Sequence, residues 1–207
     1  YLMSAPVLTR KIDQLLSRWK SDPQHRPLII KGCRQCGKTF SVLQFARANY
    51  DYVAYVNFFE NPSYSSVFSG ALDTDTLTLK LSAVLGSNVK FVSRKTIIVL
   101  DEIQTCPEAR TALKFFKTDG RYDVIATGSL LGVSGYRTTP TSVPVGYETV
   151  VEMYPLDFEE FLWANGISAP VIDLLRQSLV EETPVFEALH ERLMTLVLQY
   201  TVVGGMP

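Results

Sequence analysis

Residues 32–39 read Gly32-Cys33-Arg34-Gln35-Cys36-Gly37-Lys38-Thr39, and the interpretation of this stretch decides the fold. Its two cysteines have the Cys-x-x-Cys spacing of redox and metal sites, whereas its glycines, Lys38 and Thr39 match the phosphate-binding loop Gly-x4-Gly-Lys-Thr. The stretch follows the apolar run Leu28-Ile29-Ile30 and precedes a helix predicted over residues 38–49. Because a phosphate-binding loop needs a strand before it and a helix after it, this setting favours the second interpretation.

The loop residues suit the binding of a nucleoside triphosphate. Gly32 and Gly37 permit positive φ angles and a close approach of the backbone, so that N–H groups can point at phosphate oxygens. Lys38 is expected to bridge the β- and γ-phosphates as a catalytic residue, and Thr39 is expected to supply a hydroxyl to Mg²⁺. The predicted nucleotide-binding residues are this stretch and the residue after it: Gly32, Cys33, Arg34, Gln35, Cys36, Gly37, Lys38, Thr39 and Phe40.

The cysteine pair supports two weaker alternatives. A zinc site needs about four ligands, and outside the pair the only cysteines and histidines are Cys106, His25 and His190. This short supply of ligands disfavours a zinc site. Oxidation of Cys33 and Cys36 that blocks nucleotide binding is the other alternative, and it stays open.

The cysteine count also bears on location. Three cysteines are an odd and low number, which argues against a disulfide framework and indicates a reducing compartment. The sequence shows neither a signal peptide nor an apolar run long enough to span a membrane. We therefore expect a cytoplasmic protein.

Strands and helices alternate along the chain. After the strand at 28–30, runs rich in apolar residues predict strands at 52–58, 96–100, 122–127 and 147–154, with helices between them. This alternation predicts an α/β fold with a doubly wound, parallel, five-stranded sheet of the P-loop NTPase type. After Pro155 the pattern is helical only. We therefore expect an ATPase core with an N-terminal helix at 1–155, followed by a small helical, lid-like region at 156–207.

Polar residues follow the third and fourth predicted strands. Asp101 and Glu102 end the run 96–100, at the edge of the sheet where doubly wound folds hold catalytic groups. Asp101 is suited to hold Mg²⁺, and Glu102 is suited to orient and polarise the attacking water; an ordinary surface Asp-Glu pair is the alternative. Ser129 is the preferred catalytic sensor of the γ-phosphate and Thr127 is the second choice, unless Ser129 only caps the next helix.

Charge is unevenly distributed, although the net charge is only −1. Residues 1–50 carry nine basic and two acidic residues, whereas residues 148–191 carry ten acidic residues and one basic residue, Arg176. The simpler interpretation is a phosphate-binding half followed by a solvated acidic half. The alternative is a dipolar subunit that stacks head to tail in a homo-oligomer.

Five segments together resemble one bacterial and archaeal family: residues 32–39, Leu100-Asp-Glu-Ile-Gln104, Thr127-Gly-Ser129, Tyr154-Pro-Leu-Asp-Phe-Glu-Glu-Phe-Leu162 and Gly204-Gly-Met-Pro207. The family is the group of AAA+ superfamily ATPases that carry a C-terminal domain of unknown function, and the resemblance spans residues 9–207. It implies a chain that continues past Gly-Gly-Met-Pro. It also implies Walker A residues at Gly32, Gly37, Lys38 and Thr39, Walker B residues at Asp101 and Glu102, and a sensor within Thr127–Ser129.

One position departs from the family pattern. Family members often place an arginine after a Pro-x-Gly turn before the fifth strand, whereas here Pro144-Val-Gly146 is followed by Tyr147. Arg137 in the same loop is the nearest substitute for an arginine finger. Three other arginines stay as alternatives: Arg94, Arg110 and Arg121.

Together these residues predict Mg²⁺-dependent binding and hydrolysis of ATP by a switch or motor with an unidentified protein or DNA target. Adenine is favoured over guanine because the guanine-reading pattern Asn-Lys-x-Asp is absent from the sequence. A nucleotide-switched binding or DNA-associated module with little turnover is the first alternative, and a P-loop small-molecule kinase is the second. The expected ligands are ATP, ADP and Mg²⁺, and the expected assembly is a homo-oligomer without a membrane partner.

Overall fold

Five parallel strands form a single sheet in the computed structural model, which describes residues 8–129 and 146–207. Numbered along the chain, they are β1 (Leu28–Gly32), β2 (Tyr52–Asn57), β3 (Thr96–Asp101), β4 (Asp123–Ser129) and β5 (Thr149–Met153). Across the sheet the order is β2-β3-β4-β1-β5, and every neighbouring pair is parallel. The predicted doubly wound α/β fold is therefore confirmed.

Helices and loops connect the strands. The α-helices are α1 (Lys11–Ser21), α2 (Lys38–Asn49), α3 (Thr74–Leu85), α4 (Pro107–Asp119), α5 (Phe158–Ala164), α6 (Ala169–Val180) and α7 (Glu187–Val203). Two short 3-10 helices, Pro62–Phe68 and Ile103–Thr105, follow β2 and β3. Because parallel strands need long crossovers, α2, α3 and α4 each link one strand to the next along the chain. Within residues 8–129 and 146–207, no helix has both the length and the apolar character that crossing a membrane requires.

The interior strand β3, which lies between β2 and β4, shows why the sheet forms. Its six residues, Thr-Ile-Ile-Val-Leu-Asp, are all buried, as expected of a parallel strand that is covered on both faces. Ile98 and Leu100 pack in a cluster with Leu81 of α3 and Phe116 of α4. Burial of each such side chain contributes about 1.5–3 kcal/mol, so β3 is held firmly between its flanking layers.

The strand register brings several strand ends to one edge of the sheet. Gly32, the last residue of β1, pairs with Ser129 of β4 and with Met153 of β5. At the other side of the sheet, Asn57 of β2 pairs with Asp101 of β3. The segments that follow these residues therefore begin at the same carboxyl edge, where parallel α/β sheets bind ligands.

The chain divides into two compact units. One unit is Leu16–Met153, which contains all five strands. The other combines Tyr1–Leu15 with Tyr154–Pro207 and has an apolar core built around Leu162, Ile167, Ile172 and Leu196. The lid-like role of residues 156–207 stays a prediction.

A buried ion pair anchors this second unit. Arg10 Nε donates to Glu160 Oε1 at 3.1 Å, and both side chains are only 6% exposed. The same oxygen accepts the backbone N–H of Lys11 at 2.7 Å, and Glu160 also forms a capping box with Asp157 at the start of α5. Glu160 therefore joins α5 to the residues at which α1 begins.

Two of the segments that carried the family resemblance, Tyr154-Pro-Leu and Gly204-Gly-Met-Pro, meet in the same unit. The Leu156 N–H donates to the Gly205 carbonyl at 2.6 Å, and the Tyr200 hydroxyl donates to the Leu156 carbonyl at 2.7 Å. A Cβ atom at position 205 would collide with the Leu156 backbone. Gly205 is therefore required by a close approach of two chain segments.

Replacement of Glu160 by alanine is expected to destabilise the second unit by about 3–5 kcal/mol, because it removes the carboxylate that pairs with the buried Arg10 guanidinium. The chain has two tryptophans, Trp19 and Trp163, and only Trp163 lies in this unit. Urea unfolding followed by Trp163 fluorescence in a Trp19→Phe background therefore measures the effect.

The matched control is Lys11→Met, which removes two ion pairs, one with Asp157 and one with Glu159. The Lys11 and Asp157 side chains are 47% and 49% exposed, and the Glu159 side chain is 24% exposed. Exposed pairs contribute at most about 1 kcal/mol. Equal losses of unfolding free energy in Glu160→Ala and Lys11→Met would contradict the role of the buried pair.

Candidate functional site

The phosphate-binding loop predicted from the sequence lies between β1 and α2. Gly37 has φ 94° and Gln35 has φ 63°, so two loop residues adopt the left-handed region. Gly32 is needed for a different reason from Gly37, since a Cβ atom at position 32 would collide with the backbone carbonyl of Met153 in β5. The expectation of a positive φ is confirmed for Gly37 and is wrong for Gly32. Gly32 is needed because it allows the close approach of β5.

The Lys38 side chain lies inside this loop. Its Nζ donates to the carbonyl oxygens of Cys33 at 2.6 Å and of Gly32 at 3.1 Å, and the residue is only 6% exposed. The ammonium group is thus held by backbone carbonyls at the centre of the loop. A positive charge at this position, next to the N-terminus of α2, creates a field that attracts an anion.

The Thr39 hydroxyl connects the loop to β3. Thr39 Oγ1 donates to the carboxylate of Asp101, with distances of 3.1 Å to Oδ1 and 3.0 Å to Oδ2. The two residues predicted to hold Mg²⁺ are therefore in direct contact. A hydroxyl and a carboxylate are oxygen ligands, the type that Mg²⁺ prefers, so the side chains fit the predicted ion.

Asp101 also accepts hydrogen bonds from β2 and β4. The Tyr55 hydroxyl donates at 2.9 Å, Asn57 Nδ2 lies at 3.4 Å, and the Thr127 hydroxyl donates to Oδ1. Burial and the bond to Asp101 raise the pKa of Tyr55 above its ordinary value, so this phenol stays protonated as a donor. Sequence reasoning missed Tyr55 and Asn57, although their spacing of two at the end of β2 places them on one face.

Glu102 lies at the mouth of the site. Its backbone is left-handed with φ 57°, and its side chain accepts a hydrogen bond from Gln104 Nε2. The Ser129 N–H donates to Gln104 Oε1 at 3.3 Å. The two predicted sensor residues are therefore placed differently, since the Thr127 hydroxyl faces Asp101 and the Ser129 backbone faces Gln104.

An open cleft of about 390 Å³ runs along the loop. Two of its lining side chains are exposed aromatic rings, Phe40 at 59% and Phe59 at 69%. Phe40 was among the predicted nucleotide-binding residues, whereas Phe59, two residues beyond β2, was missed. The other lining residues are Arg34, Gln35, Gly37, Lys38, Thr39 and Glu102.

The cysteine pair is split between surface and interior. Cys33 is exposed, whereas Cys36 is fully buried, with its thiol 3.6 Å from the Met153 carbonyl oxygen. Burial raises the pKa of the Cys36 thiol. Because the thiolate is the reactive form of cysteine, the environment of Cys36 favours a packing role over redox or zinc chemistry.

The candidate arginine fingers are only partly covered by the structure. Arg137 lies outside the described residues. Arg94 and Arg121 lie two residues before the starts of β3 and β4, at the edge of the sheet opposite the loop. Arg121 pairs with Asp119 and Asp75. Arg110 pairs with Glu148 at 2.5 Å. None of these three described arginines lines the cleft.

A family model described as an AAA domain matches residues 24–162, which is more than half of the chain. The matched range contains the loop, both acidic residues and all five strands. No curated protein matches the chain significantly.

Among solved structures, the chain is similar to the Aeropyrum pernix ORC2 protein. Its ADPNP-ADP complexes align with a TM-score of 0.51 and 18% identity over 83% of this chain and 55% of that chain. Its ADP form aligns with a TM-score of 0.50 and 15% identity over 80% and 54%. This chain thus spans about half the length of these neighbours. At such low identity the likeness shows the fold alone.

The Gly32→Ala variant is expected to lose about 1–3 kcal/mol of unfolding free energy, because the added methyl group forces β1 and β5 apart. Urea unfolding measures the loss. Cys33→Ala, a change at the exposed neighbouring residue, is the control and should stay within about 0.5 kcal/mol of the unsubstituted protein. A Gly32→Ala variant of unchanged stability would show that the loop does not need the close approach of Met153.

Proposed function

We propose, from the premise that this chain belongs to the AAA domain family, that it binds ATP with Mg²⁺ and hydrolyses it to switch or drive an unidentified target. The observation that carries the proposal is the contact between Thr39 of the loop and Asp101 of β3, with Lys38 and Glu102 next to them along the chain. The contact supports a site in which phosphate-binding, metal-binding and water-activating groups would share one edge of the sheet.

ATP binding is proposed to use the loop and the cleft beside it. Lys38 Nζ, now bonded to Gly32 and Cys33 carbonyls, would exchange these bonds for stronger, charge-assisted bonds to the β- and γ-phosphates. The N-terminus of α2 would add its partial positive charge. Phe40 and Arg34 line the same cleft and stay predicted nucleotide-binding residues.

Thr39 and Asp101 are the proposed Mg²⁺ residues. Their contact at 3.0 and 3.1 Å brings a hydroxyl and a carboxylate within reach of one ion. When bound, Mg²⁺ would neutralise charge on the phosphates. Asp101 keeps its position because Tyr55 and Thr127 donate to the same carboxylate.

Glu102 is the proposed general base. Glu102 lines the cleft together with Lys38 and Thr39, so a water held there would be able to donate a hydrogen bond to its carboxylate. As the water oxygen attacks the γ-phosphorus, Glu102 accepts the proton, and the bond from that phosphorus to the bridging oxygen breaks to leave ADP. Ser129, at the end of β4, is the proposed γ-phosphate sensor.

Several finer statements are part of the same proposal. Adenine is favoured because the sequence lacks a guanine-reading motif, and the structural neighbour from Aeropyrum pernix is described with ADPNP and ADP. A homo-oligomer in which a neighbouring subunit supplies an arginine, Arg137 or another, would complete the site. A cytoplasmic location is proposed from the three free cysteines.

Two substitutions separate binding from turnover. Glu102→Gln removes the general base while preserving shape, so ATP affinity should persist and turnover should fall about 10²–10⁴-fold. Lys38→Ala removes the buried cation, so both ATP affinity and turnover should be lost. Fluorescence titration with a labelled ATP analogue and a phosphate-release assay measure the two quantities. A Glu102→Gln variant that hydrolyses ATP at the unsubstituted rate would contradict the role of Glu102.

Two substitutions of Thr39 test its role in Mg²⁺ binding. Thr39→Val keeps the shape of the side chain but removes the hydroxyl, so the gain in ATP affinity on adding Mg²⁺ should shrink about 10-fold or more. Thr39→Ser retains the hydroxyl and is the matched control. ATP titrations with Mg²⁺ and with EDTA measure this gain. An equal gain in ATP affinity on adding Mg²⁺ in the Val and Ser variants would show that the Thr39 hydroxyl does not bind Mg²⁺.

A further inference from the structure

We propose that Gln104 is a positioning residue, which holds the Glu102 carboxylate in the cleft and links it to the end of β4. The inference rests on the proposed function, because it concerns the residue that activates water. It is carried by contacts around Glu102 that the proposed reaction itself does not use.

The backbone of Glu102 is fixed on both sides. Its N–H donates to Asp101 Oδ1 at 3.1 Å, while its carbonyl accepts from the Thr105 N–H at 3.0 Å and from the Thr105 hydroxyl at 2.9 Å. The left-handed φ of 57° is unusual for a residue with a side chain. Such a conformation persists where the surroundings hold it, and it is common at functional sites.

The Glu102 side chain is in turn held by Gln104. Gln104 Nε2 donates to Glu102 Oε2, and Gln104 Oε1 accepts the Ser129 N–H. In this orientation the amide N–H group faces a carboxylate oxygen, which can accept, and the amide oxygen faces a backbone N–H, which only donates. Both ends of the Gln104 amide are therefore used, one on the proposed base and one on β4.

The position of Ser129 connects Gln104 to the region of the phosphate-binding loop. Ser129 is the last residue of β4 and pairs in register with Gly32, where the phosphate-binding loop begins. Gln104 belongs to the 3-10 helix Ile103–Thr105, whose first residue is buried in the core of the sheet. A rearrangement at the end of β4 when the γ-phosphate binds would therefore reach the Glu102 carboxylate through one side chain.

The test compares two variants of similar size. Gln104→Met removes both hydrogen bonds, so turnover should fall about 10–100-fold, the range for partners that orient a reactive group, while ATP affinity stays unchanged. Gln104→Glu retains the acceptor for Ser129 but places a second carboxylate against Glu102. Its turnover should be at least as low as that of Gln104→Met. Phosphate release and binding of a fluorescent ATP analogue are measured for both variants and for the unsubstituted protein.

Three results in the variants would overturn the inference. Unchanged turnover in Gln104→Met would show that Glu102 needs no holding. A fall in ATP affinity that matches the fall in turnover would indicate a packing role, and so would a Gln104→Glu variant more active than Gln104→Met. If the unsubstituted protein releases no phosphate, the proposed hydrolysis fails and the inference fails with it. That outcome is distinguished from the other three by the unsubstituted protein alone.

Discussion

The buried carboxylate of Asp101 is the constraint on which the rest of the site depends. Asp101 is only 3% exposed, and a buried charge is costly unless hydrogen bonds compensate it. The hydroxyl donors come from three different elements, Thr39 of α2, Tyr55 of β2 and Thr127 of β4. The start of α2 and the ends of β2 and β4 must therefore lie beside the end of β3. Because Lys38 directly precedes Thr39 and Glu102 directly follows Asp101, both residues lie at the carboxyl edge of the sheet.

The backbone conformation of a few residues is the second constraint on the site. Gly32 lies so close to β5 that a side chain cannot be accommodated, and Gly37 and Gln35 turn the loop through left-handed conformations. Glu102 is left-handed as well, and its neighbours bind both its N–H and its carbonyl. The polar groups at the sheet edge are thus attached to a backbone that the surrounding contacts hold in unusual conformations.

Much of this site could be predicted from the sequence because its central residues lie in two short, contiguous segments. Residues 32–39 are contiguous, and Asp101-Glu102 directly follow an apolar strand, so strand-loop-helix order alone brings them together. Tyr55, Phe59 and Gln104 could not be found in this way. Their roles depend on which strand lies beside β3 and on side-chain orientation, neither of which hydrophobic periodicity specifies. The contact of Gly205 with Leu156 was hidden for a similar reason, since the two residues are far apart in sequence.

The central claim is that this sheet edge hydrolyses ATP with the help of Mg²⁺. Phosphate release by the unsubstituted protein, measured with Mg²⁺ and again with excess EDTA, tests it most directly. The account predicts steady release from ATP in Mg²⁺ and none in EDTA. ATP that binds tightly in Mg²⁺ but is never cleaved, or cleavage that persists in EDTA, would contradict it.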